Sequence, residues 1–430
     1  LHVRSRRQRQ MCIRDSAKLA VEFGVNVKEG EDVLITSPVE NPDLARLITR
    51  AAYEKGARNV SIDWRDDAIT RLTYENQDQE TLNEVPAWKI EKLKYQIADK
   101  KSNRISIYAE DPDLLKGLDE AKISEAVREN SKATKEFVKY TMNDIVSWLV
   151  ISVPTKKWAA KVFPDLSDDE AYDKLWDTIL DVSRVTDSWE ETKENWSNHI
   201  ETLEEKAKYL NDHQFDKVHY ESSNGTDLWV KLPKDHIWMS AGSKNAKGDL
   251  FIPNMPTEEV FTAPQYDGVD GRLVASKPLV YNGVVINDFE FTFKGGKVVD
   301  FDAKEGKDTL AKMLDSDEGS KNLGEIALVP YDSPISNSNI LFYNTLFDEN
   351  ASCHFALGKA YPTCVVGGAD LADEELKARG INDSLIHEDF MVGTSDLKIT
   401  GYKNEEEYPI FVDGNLSLIH ISEPTRLLSI

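Results

Sequence analysis

The sequence predicts an α/β N-terminal domain followed by an α+β C-terminal domain with an antiparallel sheet. Strand-like and helix-like segments alternate through the first half of the chain, whereas runs with apolar residues at every second position dominate after residue 215. The chain has 430 residues, which is long enough to bury the cores of two domains. We therefore predict an N-terminal domain at 17–215 and a C-terminal domain at 216–415.

The N-terminal domain is predicted from short β-rich runs separated by charged or amphipathic segments. One helix begins where Asn41 can cap it and Pro42 suits its first turn, and it ends at Gly56. Strands that alternate with helices in this way usually form parallel sheets. The other predicted elements are a helix over 17–23, strands over 32–36, 59–63, 104–108 and 148–153, and a long charged helix over 190–210.

The C-terminal domain is predicted from strands of period 2 at 217–220, 228–230, 276–281 and 289–293. The last strand is followed by Gly295 and Gly296, which predicts a hairpin. The acidic segment 267–271 has too few carboxylates for a calcium-binding loop, so we interpret it as a turn. The sequence contains no low-complexity linker, so we expect the two domains to pack together.

The two ends of the chain, residues 1–16 and 416–430, are predicted to be non-native. Both ends resemble the translation of a sequencing-library adapter. When both are back-translated with suitable codons, they correspond to one DNA element that is read in opposite directions. The alternative for the Arg-rich start is a basic arm that contacts an anionic surface. Neither end shows an apolar period that could be buried, so we expect both to be mobile and dispensable.

The composition argues against several classes of function. Lys and Arg number 52 against 76 Asp and Glu, a formal net charge of −24, which repels nucleic acid and anionic membranes. No apolar run approaches the ~20 residues of a membrane span. Three cysteines, one of them in the adapter-like start, indicate a reducing compartment rather than a disulfide framework. We therefore predict a cytoplasmic protein without nucleic-acid or membrane partners.

His387 and Asp389 could ligate a metal together. If residues 386–391 form a strand, these two side chains leave one face and Glu388 leaves the other. Imidazole with carboxylate suits zinc, cobalt or manganese. The pattern His-x-Asp is common, however, and by itself it is more often an ordinary surface alternation.

His354 and Tyr361 are predicted to share one face of a helix. Residues 342–360 show helical periodicity, and seven residues make nearly two turns. The helix should end before Pro362. A tyrosine in this position is more often a partly buried aromatic residue than a ligand, because a phenolate needs a nearby cation to lower its pKa of about 10.

Three glutamates complete the polar residues of interest. Glu258 and Glu259 lie in a segment with three prolines between residues 253 and 264, which makes a rigid platform for ligands. The alternative interpretation is a solvated acidic turn. Glu325 adjoins an apolar run, so it needs a cationic partner if it is buried.

Five motifs, in this order and spacing, resemble the thermophilic-type aminopeptidases, the family of aminopeptidases T and S (peptidase family M29). They are NMPTEEVFT (254–262), GEIALVP (324–330), ENASCH (349–354), AYP (360–362) and HEDFMVG (387–393). The resemblance spans 17–415. It implies a homodimeric aminopeptidase that uses two divalent metal ions (zinc, cobalt or manganese) on peptides with a free N-terminus, within the antiparallel domain. Carried over residue by residue, the implied metal ligands are Glu259, Glu325, His354, Tyr361, His387 and Asp389.

The catalytic base is left open between Glu258 and Glu325. Glu258 adjoins an implied ligand, but strand alternation would point its side chain away. Two functions compete with the aminopeptidase: a metal-dependent amidohydrolase acting on a non-peptide substrate, and a non-catalytic metal-binding module. An intact set of six ligands argues against the module. His199, Cys353 and Cys364 are predicted to be structural.

Overall fold

The first half of the chain forms a four-stranded parallel sheet in the computed structural model, which describes residues 4–282 and 284–417. Its strands are β1 (Asp32–Pro38), β2 (Asn59–Arg65), β3 (Asn103–Tyr108) and β4 (Trp148–Ser152), in the order β2-β1-β3-β4. In the centre, Ile35 lies between Ile62 and Ile105 on the neighbouring strands. The predicted strands and their parallel pairing are confirmed.

Helices surround this sheet and connect its strands. Helix α2 begins at Pro42 as predicted, but the Asn41 side chain does not cap it and instead donates to the Pro154 carbonyl at 3.3 Å. None of the helices in the described residues is apolar over a length that would cross a bilayer. The helices are α1 (Arg6–Leu19), α2 (Pro42–Glu54), α3 (Asp67–Asn76), α4 (Gln79–Asn83), α5 (Ala87–Leu93), α6 (Glu120–Met142), α7 (Lys156–Val162), α8 (Asp168–Val182) and α9 (Trp189–His213).

The start of the chain packs on the fold, so the prediction that residues 1–16 lack a packed face is wrong for residues 4–16. Cys12 is 0% exposed and belongs to the core beside the parallel sheet. Arg4 pairs with Asp181 at 2.7 Å, and Arg9 pairs with Asp177 at 3.0 Å. The arginines that suggested an unstructured arm therefore neutralise an acidic face of α8. Residues 1–3 and 418–430 lie outside the described residues, and the non-native origin of both ends stays a prediction.

The second half of the chain forms antiparallel sheets. A nine-stranded sheet has the order β11-β12-β10-β6-β5-β17-β18-β19, with β13 also paired to β12, and a small four-stranded sheet has the order β16-β15-β14-β9. The predicted hairpin is confirmed at β12 and β13. The strands are β5 (Lys217–Glu221), β6 (Asp227–Lys231), β7 (Ser243–Lys244), β8 (Leu250–Phe251), β9 (Val260–Thr262), β10 (Val269–Val274), β11 (Leu279–Tyr281), β12 (Val284–Lys294), β13 (Lys297–Glu305), β14 (Leu323–Leu328), β15 (His354–Gly358), β16 (His387–Met391), β17 (Lys398–Lys403), β18 (Glu406–Val412) and β19 (Asn415–Leu416).

The predicted helix over 342–360 is wrong, because most of this segment is a loop, a single helical turn and a strand. The helices of the second half are α10 (Lys307–Leu314), α11 (Pro334–Asn337), α12 (Thr345–Asp348) and α13 (Asp373–Ala378). Strand β15 pairs with a neighbour on each side and is buried on both faces. A strand buried on both faces loses the alternation that would distinguish it from a buried helix. His354 and Tyr361 are therefore not neighbours on a helix.

The change from parallel to antiparallel pairing follows α9, close to the predicted boundary at 215. The two halves of the chain share a hydrophobic core. Ile335, Phe342 and Phe347 from the second half belong to the core beside the parallel sheet. A second core fills the space between the nine-stranded and four-stranded sheets. The halves thus pack together as expected, and their division into two domains at 215 stays a prediction.

Candidate metal centre

The four-stranded sheet brings together residues that are far apart in sequence. Glu325 on β14 lies opposite Ala356 on β15, which lies opposite Asp389 on β16. Opposed residues on neighbouring strands point to the same face. The methyl group of Ala356 leaves room for the longer carboxylates on either side. The predicted strand over 386–391 is confirmed, and His387 and Asp389 share a face as expected.

The opposite face of this sheet is apolar, and its burial stabilises the sheet that carries the polar groups. Ile326, Phe355 and Phe390 lie side by side on the three neighbouring strands and are 0–1% exposed. They pack into the core between the two antiparallel sheets. The alternation of apolar and polar residues therefore fixes the register, because a slip of one residue would bury the polar groups in that core.

The polar groups form two clusters that share one glutamate. Glu259, Glu325 and His354 form the first, and Glu325, His387 and Asp389 form the second, with ligand atoms in each cluster within 4.8 Å of one another. His354 Nε2 lies 3.0 Å from Glu259 Oε2 and 3.5 Å from Glu325 Oε1. His387 Nε2 lies 3.5 Å from Glu325 Oε2. One carboxylate thus faces both imidazoles.

Both imidazoles are held so that Nε2 faces the carboxylates. His354 Nδ1 lies 2.9 Å from the Glu349 carbonyl oxygen, and His387 Nδ1 lies 2.6 Å from the Lys359 carbonyl oxygen. A carbonyl only accepts, so each Nδ1 must carry a proton. In a neutral ring Nε2 then presents a lone pair to carboxylate oxygens. A cation or a second proton must lie between them, and this orientation is typical of metal-binding histidines.

The buried carboxylates also need positive charge. Oε2 of Glu259 and Oδ1 of Asp389 are buried without a well-oriented hydrogen-bond donor among the described residues. Burial raises the pKa of Glu325 to about 7. Burial opposes a charge on His354, but its contacts with Glu259 and Glu325 prevail and raise the pKa of His354 well above its usual value. Such a donor set of carboxylates and imidazoles fits divalent zinc, cobalt or manganese.

Glu349 is a further carboxylate of this site that the sequence analysis missed. It is buried and lines the same cavity as the two clusters. Burial, and then the charges of Asp389 and Glu259, raise the pKa of Glu349 well above its usual range. Its position at the start of the ENASCH motif, five residues before His354, was the signal that could have identified it.

Tyr361 reaches the site from the loop after β15. Its ring packs edge-on against His387, with centroids 5.3 Å apart, and it lines the cavity. Burial raises the pKa of its hydroxyl well above 10, and the Glu325 and Asp389 carboxylates raise it further. The hydroxyl would therefore ionise only beside a strong cation.

Glu258 does not join the other carboxylates. It is buried, but its Oε2 accepts a hydrogen bond of 2.8 Å from Nη2 of Arg184, and it is not among the residues that line the cavity. The expectation that strand alternation points Glu258 away from Glu259 agrees with this geometry. The role of Glu258 as the catalytic base stays a prediction, and in this structure its carboxylate is paired with the Arg184 guanidinium.

The clusters line a cavity of about 260 Å³. The cavity receives side chains from both halves of the chain, including Trp148 and Val150 from β4 of the parallel sheet. Its other walls are largely apolar, with Met239, Phe261 and Leu346. A cavity with apolar walls and a few convergent polar groups is the usual form of a small-molecule or substrate site.

A buried set of carboxylates and imidazoles that converge on one cavity is typical of a metal-dependent hydrolase. Residues 10–416 match the model of the thermophilic metalloprotease family M29. The chain therefore belongs to this family, and the resemblance drawn from the five motifs is confirmed. The match includes residues 10–16, in line with the packing of α1.

Individual relatives agree with the family match. Aminopeptidase AmpS of Bacillus subtilis (strain 168) is 46% identical over 400 residues, covering 93% of this chain and 97% of that protein. Aminopeptidase T of Thermus aquaticus is 35% identical over 385 residues, covering 90% and 93%. The solved structure of wild-type AmpT from Thermus thermophilus superposes with a TM-score of 0.86 at 33% identity, covering 95% of this chain and 99% of that one.

Proposed function

We propose that this protein removes N-terminal residues from peptides, using two divalent metal ions held by Glu259, Glu325, His354, Tyr361, His387 and Asp389. The observation that carries the proposal is the shared position of Glu325 between two clusters whose imidazole Nε2 atoms face carboxylates. We further propose Glu349 as an additional ligand, because it is buried in the same cavity. Zinc, cobalt and manganese suit this donor set.

The proposed chemistry is hydrolysis by an activated water. Two divalent ions in such a centre would lower the pKa of a water molecule and polarise the scissile carbonyl. Glu325 is the catalytic carboxylate of the proposal, since it lies between both clusters and can orient that water. The apolar wall formed by Trp148, Met239 and Phe261 would hold the side chain of the residue to be removed.

The burial of the site supports action at chain ends. Glu325 is 5% exposed and His354 is 1% exposed. An internal peptide bond would bring chain on both sides into a cavity of about 260 Å³, whereas an N-terminus can enter end-on. The carboxylates that line the cavity would also attract a positively charged α-amine.

The test compares leucine p-nitroanilide with its N-acetylated form. We expect the free amine to be cleaved on the order of 10²-fold or more faster, because the acetyl group removes the charge and fills the end of the cavity. The ratio of kcat/KM values is the measurement. Equal cleavage of the blocked substrate would contradict an aminopeptidase and favour an amidohydrolase of other specificity.

We also propose that the protein is a homodimer through the surface of α3, α4 and α5. None of the side chains in these helices, all of which the structure describes, is buried. Ile69 and Leu72, three residues apart on α3, are 62% and 56% exposed, and Trp88 on α5 is 68% exposed. Helices without a buried face gain little stability from packing on their own chain, and large apolar side chains exposed on consecutive helices favour an interface.

The dimer is tested by Leu72→Asp combined with Trp88→Asp. We expect light scattering to show monomers, because dimerisation would remove the new carboxylates from solvent, and burying an unpaired charge costs free energy. Val299→Asp is the control, since Val299 is similarly exposed at 59% on β13, away from these helices in sequence. A dimer that persists in the double variant would exclude this face as the interface.

A reducing compartment such as the cytoplasm is the proposed location. The cysteines of the described residues, Cys12, Cys353 and Cys364, are all free and buried. Free thiols in a chain without disulfides are typical of proteins kept in a reducing environment.

A further inference from the structure

A buried ion pair lies directly behind the proposed metal centre. Arg184 is in the turn between α8 and α9, and its two terminal nitrogens donate to the two oxygens of Glu258. The side chains are 17% and 7% exposed. Glu258 is the residue next to Glu259, whose carboxylate lies 3.0 Å from His354 Nε2. The pair therefore joins the helical half of the chain to the backbone that carries a proposed ligand.

Other contacts fix the same stretch of backbone. His199 Nε2 on α9 lies 2.6 Å from the Thr257 carbonyl oxygen. The backbone N–H of Glu258 donates to Asn350 Oδ1 at 2.7 Å, and Asn350 adjoins Glu349. Residues 257 and 258 thus make contacts with three different side chains just before β9 begins. Glu258 and Glu259 are joined by a single peptide bond, so a shift of the Glu258 backbone also moves Glu259.

The backbone at Arg184 shows that this turn is constrained. Arg184 has φ of 56°, in the left-handed region that residues other than glycine and asparagine seldom adopt. Arg184 adopts this conformation, and its guanidinium donates hydrogen bonds to Glu258. Glycine would fit the same φ without a side chain, so Arg184→Gly removes the ion pair while keeping the turn.

We propose that Arg184 and Glu258 are positioning residues, which hold Glu259 in the geometry needed to bind metal. The inference rests on the proposed function, since it takes Glu259 as a ligand. A bidentate arginine–carboxylate pair fixes both distance and orientation, and residues that orient metal ligands commonly change metal affinity or activity by about 10–100-fold when removed. Neither residue touches substrate in this account.

The experiment measures metal affinity by competition with a chromophoric chelator, using the full-length protein. We expect Arg184→Gly and Glu258→Gln each to raise the Kd for at least one ion by roughly 10-fold or more. We expect most of the lost activity to return at saturating metal, with KM little changed. The control is Arg272→Gln, which breaks an arginine–glutamate pair of the same bidentate type on the exposed surface of β10 and β12 and should leave the metal Kd unchanged.

A merely structural role would give a different result. It would lower the unfolding temperature of the metal-free variants while leaving the metal Kd of the folded fraction at the wild-type value, and that result would overturn the proposal. The double variant Arg184→Met with Glu258→Gln removes both charges, so it avoids an unpaired buried ion if a single variant fails to fold. Wild-type metal affinity in the double variant would also overturn the proposal. A wild-type protein that binds no metal would instead refute the proposed function itself.

Discussion

Glu325→Gln is expected to abolish peptide hydrolysis and to release bound metal. The amide replaces the one carboxylate that both clusters share, so each proposed ion loses a charged ligand at once. We expect kcat/KM to fall by roughly 10³-fold or more, since a two-metal centre supplies several kcal/mol of transition-state stabilisation. Metal content by mass spectrometry and hydrolysis of leucine p-nitroanilide are the two measurements.

The fold should survive this change. The opposite face of the four-stranded sheet is packed by Ile326, Phe355 and Phe390 whatever occupies the site. His387→Ala should behave in the same way, and Glu290→Gln, at a half-exposed position of β12, is the control that should keep full activity. Two ions per chain remaining in either Glu325→Gln or His387→Ala would remove that residue from the ligand set.

Removal of metal by a chelator is expected to eliminate activity, and added zinc, cobalt or manganese should restore it. The same treatment should lower the thermal unfolding temperature, because a ligand bound only to the native state stabilises it by about 2.7 kcal/mol at a concentration of 100 times its Kd. Without the ions, Glu259, Glu325 and Asp389 repel one another, and the neighbouring imidazoles of His354 and His387 compensate for part of this charge. Calorimetry before and after metal addition checks the stability. Full activity in protein shown to be metal-free would contradict the account.

Much of the fold could be predicted from the sequence because its strands are short and sharply bounded. Strand β1 is a short buried run followed by a turn, and the hairpin after Phe293 has two consecutive glycines where the chain reverses. His387 and Asp389 are predicted to share one face because they are two residues apart on a strand, and β16 confirms that strand. In each case the signal is local, within about ten residues.

The failures have a physical cause in contacts that are distant in sequence. The segment around His354 was predicted to be a helix, since burial of both faces of β15 hides its alternation. Cys12 and the arginines near it were predicted to be unstructured, because the acidic partners on α8 lie more than 160 residues away. Each of these elements is decided by its neighbours in the folded chain rather than by its own sequence.

The candidate site was predicted from motifs rather than from spacing. His354, Tyr361 and Glu325 line one cavity. The helix predicted to carry His354 and Tyr361 is absent, because residues 354–358 form strand β15. Glu349 belongs to the ENASCH motif, but its own spacing from the other polar residues does not mark it as part of the site. The pairing of Glu258 with Arg184 could not be inferred, because the two residues are 74 positions apart and neither belongs to a recognisable pattern with the other.

The most direct test of the two-metal proposal is anomalous diffraction from crystals grown with zinc and measured on both sides of the zinc edge. We expect two peaks per chain. One should lie among Glu259, Glu325 and His354, and the other among Glu325, His387 and Asp389, with Glu325 between them. A single peak, or peaks that do not contact Glu325, would contradict it.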